Sequence, residues 1–188
     1  MSRLRRLVLI TVAGLLAVVA GGAVIAQTGT PGDTPPQREI YTALGIADAA
    51  FEPEMWLARA TEQEDRTTAE WRSDSISGLA FLEYLHFDPG IAPEATDAFF
   101  SHDWFDVVFS SYASWEKRAS CNFENLITLR EFAVVSGNAA YTLRYWTQYI
   151  NETRVLALFL TFPQTETALL DTYAERLFPE SFRCEGDS

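Results

Sequence analysis

The chain has 188 residues, and its 26 acidic side chains outnumber its 14 basic ones to give a formal net charge of −12. This excess of negative charge argues against binding to nucleic acid, because phosphates require a basic surface. It also argues against peripheral binding to anionic lipid. The aromatic content of 13% is high, which favours a well-filled core as much as it favours a binding groove.

The N-terminus has the pattern of an export segment. Three arginines within the first six residues precede an uncharged, mostly apolar run over residues 7–26. Small residues at the end of that run predict signal-peptidase cleavage before Gln27. The run is also long enough to cross a bilayer uncleaved, and the arginines would keep its start on the cytoplasmic side. We therefore predict a signal peptide or an N-terminal membrane anchor over 1–26, with the rest of the chain secreted, periplasmic or anchored outside the membrane.

The remaining chain divides into a linker and one domain. Residues 27–38 are rich in Gly, Pro and Thr and predict a flexible linker. Cleavage after residue 26 would leave 162 residues with a net charge of −15, because three arginines and no acidic residue are removed. That length is enough for one domain with a proper core, which we assign to 39–188.

Strand patterns begin at about residue 55 and continue to about residue 87. Residues 55–61 and 68–72 predict a hairpin whose tryptophans pack on the same side. The two tryptophans are Trp56 and Trp71. Residues 76–87 alternate as a third strand. Glu83 interrupts its apolar face, so an edge or bent strand is the alternative.

A helix is predicted over residues 94–116. The apolar residues with helical spacing are Phe100, Trp104, Val107, Val108, Tyr112 and Trp115. Ser101 can cap a fresh start and divide this region into a short helix and a longer one. Lys117 and Arg118 fall near its end, where basic side chains suit the helix dipole.

Residues 126–162 predict an antiparallel meander of three strands, with turns at residues 136–138 and 151–152. Alternating residues 141–149 form the clearest strand pattern in the chain. Residues 165–178 then change to helical spacing, which places an apolar stripe against the meander. The order of these elements predicts the α+β class, with helices packed on an antiparallel sheet.

Cys121 and Cys184 are the only cysteines, and they flank this meander and helix. We predict a disulfide between them, because export places the chain in an oxidising compartment. Closing a loop of 63 residues would stabilise the fold by about 4 kcal/mol. Two free buried thiols are the alternative.

No catalytic, metal or cofactor motif occurs in the sequence. Ser101, His102 and Asp103 are adjacent, but neighbours on a helix point about 100° apart, so adjacency does not make a triad. His86 and His102 are the only histidines and lack the spacing of metal ligands. We therefore assign no catalytic residue, no metal and no cofactor.

One strand face is a candidate binding surface. Arg144, Trp146 and Gln148 alternate along the middle strand of the meander and combine a flat aromatic ring with a guanidinium and an amide. Such groups hold sugars, peptides and acidic groups. Packing of Trp146 under a helix is the structural alternative.

These observations predict an exported, non-enzymatic domain that binds a small molecule, a peptide or a protein partner outside the cytoplasmic membrane. One alternative is a small extracytoplasmic hydrolase that uses His102 with Ser101, Asp103 or Asp106. The other is an anchored subunit of a membrane complex, tethered through residues 7–26.

Overall fold

A computed structural model describes residues 50–52, 54–62 and 66–184. The predicted export segment over 1–26 and the linker over 27–38 lie outside the described residues. Cleavage, anchoring and the start of the domain therefore stay predictions. Among the described residues, no helix has the length and apolar character needed to cross a bilayer.

Seven antiparallel strands form one sheet in the described part of the chain. The strands are β1 Leu57–Glu62, β2 Arg66–Ser73, β3 Gly78–His86, β4 Ser114–Phe123, β5 Ile127–Ser136, β6 Ala139–Asn151 and β7 Arg154–Pro163. Their order across the sheet is β1-β2-β3-β7-β6-β5-β4. Two meanders, β1 to β3 and β4 to β7, therefore meet where β3 pairs with β7.

The predicted strand over 76–87 is present as β3 and lies inside the sheet, so the alternative of an edge strand was wrong. β3 pairs with β2 on one side and with β7 on the other. Glu83, which suggested an edge, is 8% exposed and accepts a hydrogen bond from Arg66 Nη1 at 2.9 Å. A buried carboxylate is tolerated in a central strand when a guanidinium compensates its charge.

Three helices pack on the sheet within the described residues: α1 Pro93–Phe99, α2 His102–Val108 and α3 Thr167–Leu177. The first two connect β3 to β4, and Ser101 lies at the N-cap of α2, where the sequence placed a division. The fold is thus α+β in the broad sense, with the sheet as its dominant part.

The predicted helix over 94–116 was wrong in its C-terminal part. Helix α2 ends at Val108, and residues 114–123 form strand β4. Lys117 and Arg118 consequently lie in a strand and not at a helix end. Trp115 belongs to β4 but packs in the same aromatic cluster as the helix residues, with its ring 6.3 Å from that of Phe105. Its apolar side chain therefore continued the helical spacing in the sequence.

The two faces of the sheet carry separate cores, because successive side chains of a strand point to opposite sides. On one face, α3 covers a cluster that includes Trp146, with Leu170 and Tyr173 of the helix buried against it. Trp56 and Trp71 both belong to this core, as predicted, and pack on Phe51. We call this side the α3 face.

The opposite side, the α1–α2 face, holds the second core. Its buried residues include Phe105 from α2, Phe132 from β5 and Tyr145 from β6. Neighbours on β6, Tyr145 and Trp146, therefore belong to different cores.

The predicted disulfide joins Cys121 of β4 to Cys184, with the two Cα atoms 5.7 Å apart. Cys184 follows α3 in the chain, so the bond ties an edge strand of the sheet to the segment that covers the α3 face. A bond at these positions is consistent with an oxidising location outside the cytoplasm.

Candidate ligand cleft

A cleft of about 310 Å³ opens on the α1–α2 face, between the two short helices and strands β4 and β5. Its volume lies at the lower end of the range for small-molecule sites. The helical wall consists of five residues: Asp97, Phe100, Ser101, His102 and Phe105. The sheet wall consists of five others: Trp115, Lys117, Ser120, Asn122 and Arg130. We call this site the Arg130 cleft.

A β-bulge in β4 shapes the sheet wall. Lys117 lies opposite Phe132, and Ala119 lies opposite Glu131, so Arg118 is an extra residue with no partner in the register. A bulge shifts the alternation of a strand by one residue. Ser120 therefore faces the cleft on the same side as Lys117, while Cys121 faces the opposite side, toward Cys184.

Arg130 forms the floor of the cleft and is held from three sides. Its side chain is only 6% exposed. Nη1 donates to the hydroxyl of Thr147 at 3.0 Å, and Nη2 donates to Asp97 Oδ1 at 2.5 Å. The guanidinium carbon also lies 5.8 Å from the centre of the Phe100 ring, within cation–π range. The guanidinium is consequently fixed before any ligand arrives.

Burial changes the acid–base behaviour of the groups beneath the cleft. It lowers the pKa of the Arg130 guanidinium, an effect that the charge of Asp97 opposes. Burial also raises the pKa of the Tyr145 phenol, and the negative charge of Glu83 raises it further. Tyr145 is therefore neutral, and its oxygen accepts a hydrogen bond from Trp104 Nε1 at 3.3 Å. Arg130 still carries its charge at neutral pH, because arginine ionises far above that range.

His102 lies at the mouth of the cleft in a small polar cluster. Its Nε2 is 3.5 Å from Asp106 Oδ2, one helical turn further along α2. Asp106 Oδ1 accepts a hydrogen bond from Trp115 Nε1 at 3.2 Å, and the imidazole and indole rings lie 4.6 Å apart. The His102 side chain is 75% exposed, so solvent reaches it freely.

The residues proposed from sequence as a ligand surface lie under α3. Trp146 is 1% exposed, donates from Nε1 to the carbonyl of Ser181 at 2.7 Å and stacks on Phe178. Arg144 bridges Glu131 at 2.9 Å and Asp171 at 2.6 Å. Gln148 is half-buried on the same face. Packing accounts for these contacts, and a ligand could reach Trp146 only by displacing the C-terminal segment.

The two histidines lie in different parts of the fold. His86 is exposed at the end of β3, opposite Arg154, and does not line the cleft, whereas His102 does. No group of three or more His, Cys, Asp or Glu side chains within the described residues is arranged to hold a metal ion.

Sequence reasoning identified His102 and Ser101 but missed Arg130, Asp97 and the β4 residues. One sequence pattern could have indicated Arg130: it is the only basic residue of a mostly apolar strand, where a buried charge needs a partner. No comparable pattern marks Ser120 or Asn122, because only the bulge turns them toward the cleft.

Comparison with known proteins adds no family to this description. No protein-family model matches the sequence, and a search of curated proteins found no significant match.

Proposed function

We propose that the chain is an extracytoplasmic, non-enzymatic binding domain that holds a small polar ligand in the Arg130 cleft. The observation that carries this proposal is a fixed, buried guanidinium at the floor of an open cleft. The location follows from the predicted export segment over 1–26, and the Cys121–Cys184 disulfide is consistent with it.

The composition of the cleft supports binding of a polar ligand. Aromatic rings of Phe100 and Trp115 provide flat apolar surface, and Ser120 and Asn122 add hydrogen-bonding groups beside the guanidinium. Ligand sites typically combine apolar walls with a few well-placed polar groups. Because Arg130 is already ordered, binding does not have to restrict its side chain, which lowers the entropic cost.

A screen of the purified, exported protein tests this proposal. Amino acids, organic acids, sugars and short peptides would be examined by thermal shift, and the hits by NMR with ¹⁵N-labelled protein. We expect at least one class to raise Tm and to perturb the amides of Ser120, Asn122 and Arg130. If no class perturbs these amides, the proposal is wrong.

Two variants separate cleft binding from binding elsewhere. Ser120→Phe places a large ring at an exposed position that lines the cleft, so it should abolish binding without touching the buried guanidinium. Ser114→Phe, an exposed serine at the start of the same strand, is the matched control and should leave binding unchanged. Equal effects of both variants would place the binding site outside the cleft.

A hydrolase remains the second candidate because His102 lies at the cleft mouth beside Asp106, with Ser101 in the same wall. A histidine oriented by a carboxylate can serve as a general base. A nucleophile would also need a hydrogen bond to that histidine, and no serine hydroxyl in the described part of the chain makes one. Hydrolysis of p-nitrophenyl acetate that His102→Ala reduces at least 100-fold, roughly the smallest contribution expected of a general base, would favour the hydrolase over the binding domain.

A further inference from the structure

The ion pair at the floor of the Arg130 cleft is unequal in its exposure. The Arg130 side chain is 6% exposed, whereas the Asp97 side chain is 61% exposed. The guanidinium is anchored by a strand and by Thr147, which is itself buried. Asp97 belongs to α1, a surface helix of seven residues. The anion can therefore leave for solvent, but the cation cannot.

Because of this difference in exposure, another anion can replace Asp97 as the partner of Arg130. A buried guanidinium needs an anionic partner, because an unpaired charge removed from water is costly. Asp97 needs no such partner, since its carboxylate remains hydrated when it turns outward. An incoming anion can then satisfy Arg130 in its place. Lys117 also lines the cleft and adds a second basic side chain, and Asp97 is the single acidic residue of the lining, with Asp106 outside it at the mouth.

We infer that the ligand of the Arg130 cleft is a small carboxylate whose carboxyl group displaces Asp97 from Arg130; this inference rests on the proposed function. Nη2 of Arg130 already donates to a carboxylate oxygen of Asp97 while Nη1 donates to Thr147, so the ligand carboxyl group would take the place of Asp97 at Nη2. Asp97 shows that the position accommodates such a group. Ser120 and Asn122, on the adjacent strand, are placed to contact the rest of the ligand.

The displacement has a consequence that can be measured. Asp97 competes with the ligand from within the protein, and tethered groups act at effective concentrations on the order of millimolar or above. Replacing this carboxylate with an amide of the same size removes the competitor and keeps the shape of the cleft. We expect Asp97→Asn to bind a small carboxylate at least tenfold more tightly than the unchanged protein.

The experiment uses succinate and inorganic phosphate as probes, with Kd measured by calorimetry at constant ionic strength. Asp97→Asn should bind succinate at least tenfold more tightly and should bind phosphate more weakly than succinate. Asp74→Asn is the matched control, because Asp74 is an exposed carboxylate paired with an exposed arginine, Arg72. It should leave the affinity unchanged. Adding Ser120→Phe to Asp97→Asn should abolish binding.

The outcomes distinguish this inference from the proposed function. Unchanged succinate affinity in Asp97→Asn, or tighter binding of phosphate than of succinate, overturns the carboxylate assignment. If uncharged compounds perturb the cleft amides while carboxylates do not, the inference fails and the proposed function stands. If no probe of any class perturbs those amides, both fail.

Discussion

Two buried arginines on neighbouring strands have different surroundings because they lie on opposite faces of the sheet. Arg144 on β6 lies under α3 and is enclosed by Glu131 and Asp171. Arg130 on β5 lies on the other face, where two short helices leave a cleft above it. The same side chain is therefore a structural bridge in one position and a candidate ligand contact in the other.

Removal of the Arg144 charge should destabilise the fold strongly. Arg144→Gln leaves Glu131 and Asp171 without their shared cation and breaks the link between α3 and the sheet. Breaking a buried ion pair by removing one partner costs about 3 kcal/mol. Urea denaturation would measure this loss. Arg72→Gln, which breaks an exposed pair with Asp74, should change the free energy of unfolding by less than about 1 kcal/mol. Similar losses of stability in both variants would contradict the structural role of the buried Arg144 bridge.

Glu52 should make part of the stability depend on pH. Burial raises the pKa of Glu52, but hydrogen bonds from Tyr173 and Arg176 outweigh it, so the pKa is lowered in the folded state. The ordinary pKa of glutamate is about 4.3. The stabilisation from Glu52 is therefore fully present above that value and is lost as pH falls below it.

We expect Glu52→Gln to lower Tm at pH 7, with a difference from the unchanged protein that shrinks toward pH 3. Thermal unfolding followed by circular dichroism at several pH values would measure this difference. Glu175→Gln, at an exposed position of α3, is the control and should change Tm little at any pH. A Tm difference for Glu52→Gln that stays constant from pH 7 to pH 3 would rule out the ionisation of Glu52 as its cause.

At the scale of the element, strand β4 gives both the cleft and the disulfide their geometry. Its bulge at Arg118 places Ser120 on the α1–α2 face and Cys121 on the α3 face. If the same residues paired regularly, with Arg118 opposite Glu131, these side chains would lie on the other sides, because a shift of one residue inverts the alternation. The bulge therefore couples the two features.

Deletion of Arg118 tests whether it is the extra residue that the bulge accommodates. We expect the shortened strand to pair regularly with β5, with Cys121 still opposite Leu129, so that the disulfide forms and no thiol is alkylated under non-reducing conditions. Arg118→Ala keeps the extra residue and should retain the disulfide. Mass spectrometry after iodoacetamide treatment would count the alkylated thiols. A deletion variant with two alkylated thiols would show that Arg118 is not the residue that the bulge accommodates.

At the scale of the whole molecule, the disulfide links the edge strand β4 to the segment that follows α3. That segment supplies Phe178, which stacks on Trp146, and the carbonyl of Ser181, which accepts its indole hydrogen bond. The bond therefore helps to hold the cover of the α3 face in place.

Loss of the bond should destabilise the protein by about 4 kcal/mol, because the unfolded chain is no longer restricted by a closed loop. Replacing both cysteines with serine and measuring guanidinium denaturation would give this value. Reduced, unsubstituted protein is the control and should unfold at the same midpoint as the double variant. A midpoint equal to that of the oxidised protein would mean that the bond adds nothing to stability.

Local patterns predicted the elements whose neighbours in sequence are also neighbours in space. The hairpin with Trp56 and Trp71, the meander β5 to β7 and helix α3 are all of this kind. Strand β4 was not predicted for two reasons. Trp115 continues the helical spacing of the residues before it, and the bulge at Arg118 breaks the alternation of the strand. The interior position of β3 was not predicted, because a charged residue such as Glu83 is typical of an edge strand. Only the fold brings Arg66 within hydrogen-bond distance of Glu83 and compensates its charge.

Sequence alone predicted the broad α+β class, because the class depends on short-range periodicity. It also predicted the pairing of Cys121 with Cys184, because the chain has only two cysteines. Tertiary structure decided which side of the sheet each helix covers. Because α3 covers one side of the sheet, Trp146 is buried beneath it. Because the two short helices cover the other side only in part, a cleft lies above Arg130. The distinction depends on contacts such as Arg130 with Asp97, which are 33 residues apart in the chain and leave no periodic pattern in it.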